Sequence, residues 1–240
     1  MFRDDIPSER LWCSWMGQPA DGMSVTEQWF HCLDLTSPEA IANMESQQHL
    51  LDPDVVITAY RNGYFPMADS RSGPISWYSP DPRAIIPLDE FKISRSLRQT
   101  VRKKVFDIRI DTAFPSVIAA CAERDETWIS DEILRVYTLL HEQGLAHSVE
   151  SWHGGILAGG LYGVAIRGAF FGESMFSLRP NASKVALVAL VERLRRNGFL
   201  LLDTQFINEH VSHFGAREIP RNRYFELLAR ALSADARFAE

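Results

Sequence analysis

The sequence predicts an α/β protein organised on a sheet of mixed strand direction. Two patterns carry that prediction. Residues 147–152 and 156–166 alternate like the arms of a hairpin around His153-Gly154-Gly155. Residues 170–208 then read strand, loop, helix, strand, so that a helix crosses between two strands. From residue 106 the whole order is β, α, α, β, β, β, α, β, with one more helix at residues 221–232.

Taken in order, residues 1–48 mix Trp12, Trp15, Trp29 and Phe30 with acids and small residues, with no period, and are set apart as an N-terminal extension. Residues 49–82 form a small domain. It has a helix at 54–60 ended by Gly63, an aromatic loop at 63–67 and a strand at 75–78. The turn Ser79-Pro80-Asp81-Pro82-Arg83 places the domain boundary, because each proline restricts the residue before it. The second domain, 83–240, opens with a basic helix at 93–104 whose Leu97 and Val101 point inward. Arg95, Arg98 and Arg102 lie three and four apart, on one face. Such a face is either solvated or a contact for a phosphate backbone; a single basic cluster on a chain of net charge -6 favours the second.

A strand at 106–110 follows, then a helix at 113–124 with Phe114, Val117, Ile118 and Cys121 inward. A helix at 131–143 is capped by Ser130 and stopped by Gly144. In the crossover helix at 184–196, Leu187, Leu190, Val191 and Leu194 recur at helical spacing, with Asn181 or Ser183 as cap and Asn197-Gly198 as stop. Residues 199–202 are a continuous apolar run, as expected of a strand covered on both faces.

Composition narrows the function. The cysteines Cys13, Cys32 and Cys121 show neither metal-ligand spacing nor a disulfide framework, which fits a reducing cytoplasm. No apolar run is long enough to span a bilayer, and the N-terminus lacks a signal pattern. There is no Walker loop, Rossmann fingerprint, zinc pair, HExxH or nucleophile elbow. His141 and His147 stand alone. What remains is Glu173 on one strand and Asp203 and Gln205 at the end of the next, two apart and on one face if the strand persists. A turn or capping role for these residues is the alternative.

Nine blocks occur in one order. They are Ala59-Tyr60-Arg61-Asn62-Gly63-Tyr64-Phe65-Pro66, Trp77-Tyr78-Ser79-Pro80-Asp81-Pro82-Arg83, Ser94-Arg95-Ser96, Thr127-Trp128-Ile129, Ala146-His147-Ser148-Val149-Glu150, Gly172-Glu173-Ser174-Met175-Phe176-Ser177, Asn181-Ala182-Ser183-Lys184, Asp203-Thr204-Gln205 and Gly215-Ala216-Arg217-Glu218-Ile219-Pro220-Arg221. Together they resemble the motifs of leucyl/phenylalanyl-tRNA–protein transferases over residues 50–230. The resemblance implies a small N-terminal domain followed by a GNAT-like acyltransferase domain. It implies transfer of Leu or Phe, with Met a third candidate, from aminoacyl-tRNA to the N-terminal Arg or Lys of an acceptor protein, which marks that protein for degradation. Neither metal nor cofactor is implied, and a cytoplasmic monomer is expected.

By position, the resemblance makes Asp203 and Gln205 the reaction-centre pair, and Glu173 a holder of the acceptor's N-terminus. Leu161, Phe170, Met175 and Leu202 would line the pocket for the transferred side chain, with Trp128 nearby. Tyr60 and Tyr137 would lie near the terminal adenosine. Arg95, Arg98, Arg102 and Lys103 would bind tRNA. The chain departs from the family pattern at Tyr78, where Trp is common, at Thr204, where Cys is common, and at Met67, where some members have Trp. Two rivals stand beside this reading. A coenzyme-A-dependent N-acetyltransferase would need a glycine-rich pyrophosphate loop, and Arg179-Pro180-Asn181-Ala182-Ser183 has no glycine. A non-catalytic tRNA-binding module would explain the basic helix but not the gathering of Glu173, Asp203 and Gln205.

Overall fold

Helix α1, Pro53–Arg61, starts on the side chain of Asp52, which accepts from the Asp54 N–H at 2.8 Å, with proline in its first turn. It stops at Gly63, whose φ of +80° suits glycine; a Cβ there would also lie 2.9 Å from the Phe225 ring. These elements belong to a computed structural model, which describes residues 51–123 and 127–238. The expectations for residues 1–48, for Cys13 and Cys32, and for the Arg124 end of a helix lie outside the described residues.

Strands β1, Phe65–Ala68, and β2, Ile75–Tyr78, pair as an antiparallel ribbon. Part of the predicted aromatic loop is therefore strand, because Phe65 and Tyr78 face each other and stack at 6.1 Å.

The main sheet adds β3, Arg83–Ile85; β4, Asp107–Ile110; β5, Ala146–His153; β6, Ile156–Ile166; β7, Ala169–Ser177; β8, Leu201–Gln205; and β9, Arg217–Ile219. Its order is β4-β5-β6-β7-β8-β3-β9. Every neighbouring pair is antiparallel except β7 and β8, which are parallel. The mixed α/β class is thus the one the sequence predicts. Strands β3 and β9 are not anticipated by it; three residues each are too few to show a period.

Helices α2, Arg95–Arg102; α3, Phe114–Ala122; α4, Asp131–Glu142; α5, Ala182–Arg196; α6, Glu209–Ser212; and α7, Arg221–Ser233, complete the described part. Helix α5 is the crossover between the parallel strands, and it buries Val185, Leu187, Leu190, Val191 and Leu194 in the main apolar cluster. The cap predicted for it is not formed. Asn181 takes a left-handed φ of 70° with no capping bond from its side chain, and Ser183 lies inside the helix. The first turn is held from β7 instead, where Ser177 Oγ accepts from the Ser183 N–H at 3.3 Å. The chain entering helix α3 is likewise held from a strand: Glu150 on β5 accepts from the N–H groups of Thr112 and Ala113 at 2.9 and 2.8 Å.

Two bulges interrupt the central strands. Tyr162 pairs with Ser174 and Gly163 with Gly172, so Glu173 is an extra residue on β7. On β8, Asp203 and Gln205 face Ile85 and Ala84, so Thr204 is extra. The first bulge reverses the alternation along β7. Phe170 and Met175 are five apart and would face opposite ways on a regular strand; with the extra residue both turn toward α5.

Candidate active site

Asp203 and Glu173 lie on adjacent strands in unlike surroundings. Asp203 is fully buried. Its carboxylate accepts from Arg83 Nε at 3.0 Å and Nη2 at 2.8 Å, from the Tyr224 hydroxyl at 2.7 Å and from the Gln205 N–H at 2.9 Å. Arg83, also buried, gives Nη1 to the Gly63 carbonyl at 3.0 Å and lies between the rings of Phe65 and Tyr224, 4.7 Å from each. Burial opposes the Arg83 charge, but Asp203 outweighs it and holds the guanidinium charged. Burial pushes the Tyr224 hydroxyl well above its usual range.

Glu173 is half-buried, and its hydrogen-bonding partners are neutral. Tyr60 donates to Oε1 at 2.6 Å, Tyr137 to Oε2 at 3.4 Å, and Gln205 Nε2 to Oε1 at 3.2 Å. The two tyrosine hydroxyls also meet each other. Desolvation pushes the Glu173 carboxyl up to about 8; the Tyr60 hydrogen bond works against this and the Asp203 charge with it. Burial raises both tyrosines, Glu173 adding to it. Gln205 spans the two centres: its backbone N–H is on Asp203, its side chain is on Glu173, and its φ of 57° is left-handed. That turn at the end of β8, rather than simple alternation, aims it at Glu173.

The apolar residues predicted for a pocket do come together. Leu161 pairs with Met175 across β6 and β7, and Phe170 with Leu202 across β7 and β8. Leu161, Phe170 and Leu202 are buried in the cluster under α5, and the partly buried Met175 packs against it. Trp128 is half-buried ahead of α4, its carbonyl accepting from the Ala68 N–H at 3.1 Å. Tyr60 and Tyr137, which the resemblance sets near an adenosine, are completely buried with their hydroxyls on Glu173. Arg95, Arg98, Arg102 and Lys103 are exposed on and just after α2, with no carboxylate partner among the described residues, while Leu97 is buried beneath them. His147 is buried against Asp111, Nδ1 to Oδ2 at 2.8 Å.

Two family models match this chain: the leucyl/phenylalanyl-tRNA protein transferase over residues 85–229, and its N-terminal domain over 50–81. Curated relatives named leucyl/phenylalanyl-tRNA–protein transferase agree. The relative from Herpetosiphon aurantiacus is 58% identical over 78% of this chain and 98% of its own length. That from Salinibacter ruber is 57% identical over 76% of this chain and 80% of its own. That from Rubrobacter xylanophilus is 54% identical over 79% and 99%.

The chain belongs to the leucyl/phenylalanyl-tRNA–protein transferase family. It is therefore an aminoacyltransferase, and the β7–β8 centre is the candidate active site of this transferase. Sequence reasoning missed two residues there. Arg83 closes a proline-rich turn and receives no role from the sequence, yet it is the counter-ion of Asp203. Tyr224 lies in the last helix and receives no role from the sequence, yet it donates to the same carboxylate. A signal existed for Arg83 alone: it closes the motif Trp77–Arg83. Among the described residues of the transferase, no helix is long and apolar enough to cross a membrane.

Proposed function

We propose that the chain moves Leu or Phe from aminoacyl-tRNA to the N-terminal Arg or Lys of an acceptor protein, with Glu173 and Gln205 at the reacting atoms. The observation that carries this is the 3.2 Å contact between Gln205 and Glu173, whose carboxyl burial pushes up to about 8. The acceptor's α-amine has a reference pKa of about 7.7–8.0. A group matched to it exchanges a proton at little cost near neutrality. The arriving cation itself favours the ionised carboxylate. Glu173 then takes the proton of the amine, and the Gln205 carbonyl accepts a second hydrogen bond that orients the nitrogen.

The nitrogen forms its bond to the ester carbon, the bond from that carbon to the ribose oxygen breaks, a second proton from the nitrogen passes to the ribose oxygen, and the first, held on Glu173, is released to solvent. Orientation of two bound substrates alone supplies about 7–11 kcal/mol of such a barrier. Asp203 has its acceptor sites filled by Arg83, Tyr224 and Gln205. It is a positioning residue in this reading: it fixes the backbone of Gln205 and does not touch the amine. Tyr60 and Tyr137 hold Glu173. Leu161, Phe170, Met175 and Leu202 accept the transferred side chain, with Trp128 at the margin. The exposed arginines of α2 and Lys103 meet tRNA phosphates. Residues 49–82 and 83–240 act as the smaller and larger domains of a monomeric cytoplasmic enzyme.

Transfer of labelled Leu from charged tRNA to peptides beginning with Arg, Lys, Asp, Glu or Ala tests the reading. Transfer to the Arg and Lys peptides alone is expected. Transfer to Asp or Glu would overturn the acceptor assignment. Absence of transfer to every peptide, with tRNA still bound, would favour a binding module.

A further inference from the structure

The bulge on β8 leaves one polar atom without an explanation. Thr204 is the extra residue, between Asp203 and Gln205, and the neighbouring strand carries its own bulge at Glu173. Bulges re-aim side chains next to active sites. Thr204 Oγ1 is buried with no hydrogen-bond partner among the described residues, although the residue as a whole is half-buried. The part of Thr204 open to solvent is therefore not its hydroxyl. A hydroxyl held this way destabilises the folded chain.

The hydroxyls that hold the two carboxylates are engaged, Arg83 is buried against its partners, and Gln205 Nε2 gives one of its two N–H groups to Glu173. Arg83 gives to Asp203 and Gly63, Tyr224 to Asp203, and Tyr60, Tyr137 and Gln205 Nε2 to Glu173. Aminolysis also needs a donor where negative charge grows on the ester carbonyl oxygen. We propose that the Thr204 hydroxyl is that donor, turned by one step about χ1 from its unsatisfied position toward an ester carbonyl bound beside Gln205. The hydroxyl only donates a hydrogen bond and is not deprotonated. This inference rests on the aminoacyl-transfer reading above.

The test compares the full chain with Thr204→Val, which keeps the shape and removes the hydroxyl, and Thr204→Ser, which keeps the hydroxyl. Leu-tRNA and an Arg-initiated peptide are the substrates. Thr204→Val is expected to lower kcat on the order of 10²-fold with both KM values unchanged. Its thermal midpoint should equal or exceed that of the wild type, and Thr204→Ser should recover most of the rate. Wild-type kcat in Thr204→Val would overturn the inference. So would a loss of rate accompanied by a lowered midpoint, or one that Thr204→Ser does not recover. An inactive wild type would sink the parent reading instead, so the two failures are separable.

Discussion

Asp203 and Glu173 are carboxylates on neighbouring strands that share Gln205, and the chain treats them in opposite ways. Asp203 is saturated, with a guanidinium, a phenol and a backbone N–H on its oxygens. Glu173 receives only phenols and an amide, and burial raises it to about 8. A carboxylate locked to a buried cation is an anchor, because no further partner can reach it. A half-buried carboxylate given neutral donors sits where it can exchange a proton. In the proposed reading, the same side-chain chemistry yields an anchoring and a reacting residue one strand apart.

The largest effect that would break this comparison is on Asp203. Asp203→Ala leaves Arg83 buried and uncompensated, a change of about 3–5 kcal/mol. Urea unfolding should show that loss, together with loss of transfer. Unaltered stability would mean that Asp203 is no anchor.

Glu173→Gln should spare the fold and cut turnover by about 10²–10⁴-fold. Its stability has a pH signature. The folded carboxyl is raised from 4.5 to about 8, so the folded state holds a proton that the unfolded state releases. The stability it contributes is complete below the unfolded value and is lost as pH rises to about 8. Thermal midpoints of Glu173→Gln measured from pH 5 to 9 should therefore lack part of the wild-type decline. Parallel curves for the two proteins would contradict the raised value.

Tyr60→Phe sharpens the contrast more gently. It removes a hydrogen bond that lowers the Glu173 pKa, at a cost of about 0.5–1.5 kcal/mol. The limb of the pH–kcat/KM profile that reports Glu173 should move to higher pH. Smallest for the fold is reversal of Arg95, Arg98 and Arg102 to Glu, with stability within about 0.5 kcal/mol of wild type. The tRNA KM should rise and its dependence on salt should flatten; an unchanged salt slope would remove α2 from the tRNA surface.

Much of this was legible in the sequence. The β5–β6 hairpin, the β7–α5–β8 crossover and the placing of Glu173, Asp203 and Gln205 on neighbouring strands follow from alternation, helical spacing and turn residues. The two bulges do not, since one extra residue at Glu173 or Thr204 leaves no trace in composition. They nevertheless decide which side chains share a face. The role of Arg83 was hidden because burial of an arginine depends on a partner 120 residues away. The start of α5 misled for a related reason: its serine comes from the preceding strand, and the residue in the capping position is bent out of the way.

Those long spans also set an order in time. Tyr60 meets Glu173 across 113 residues, Arg83 meets Asp203 across 120, and Gly63, bonded to the Arg83 guanidinium, lies against the rings of Phe225 and Tyr224. Contacts so far apart in sequence close late and slowly. Neither carboxylate has its final surroundings until the early and late parts of the described chain have met. Regain of transfer during refolding is expected to follow the closing of these distant contacts.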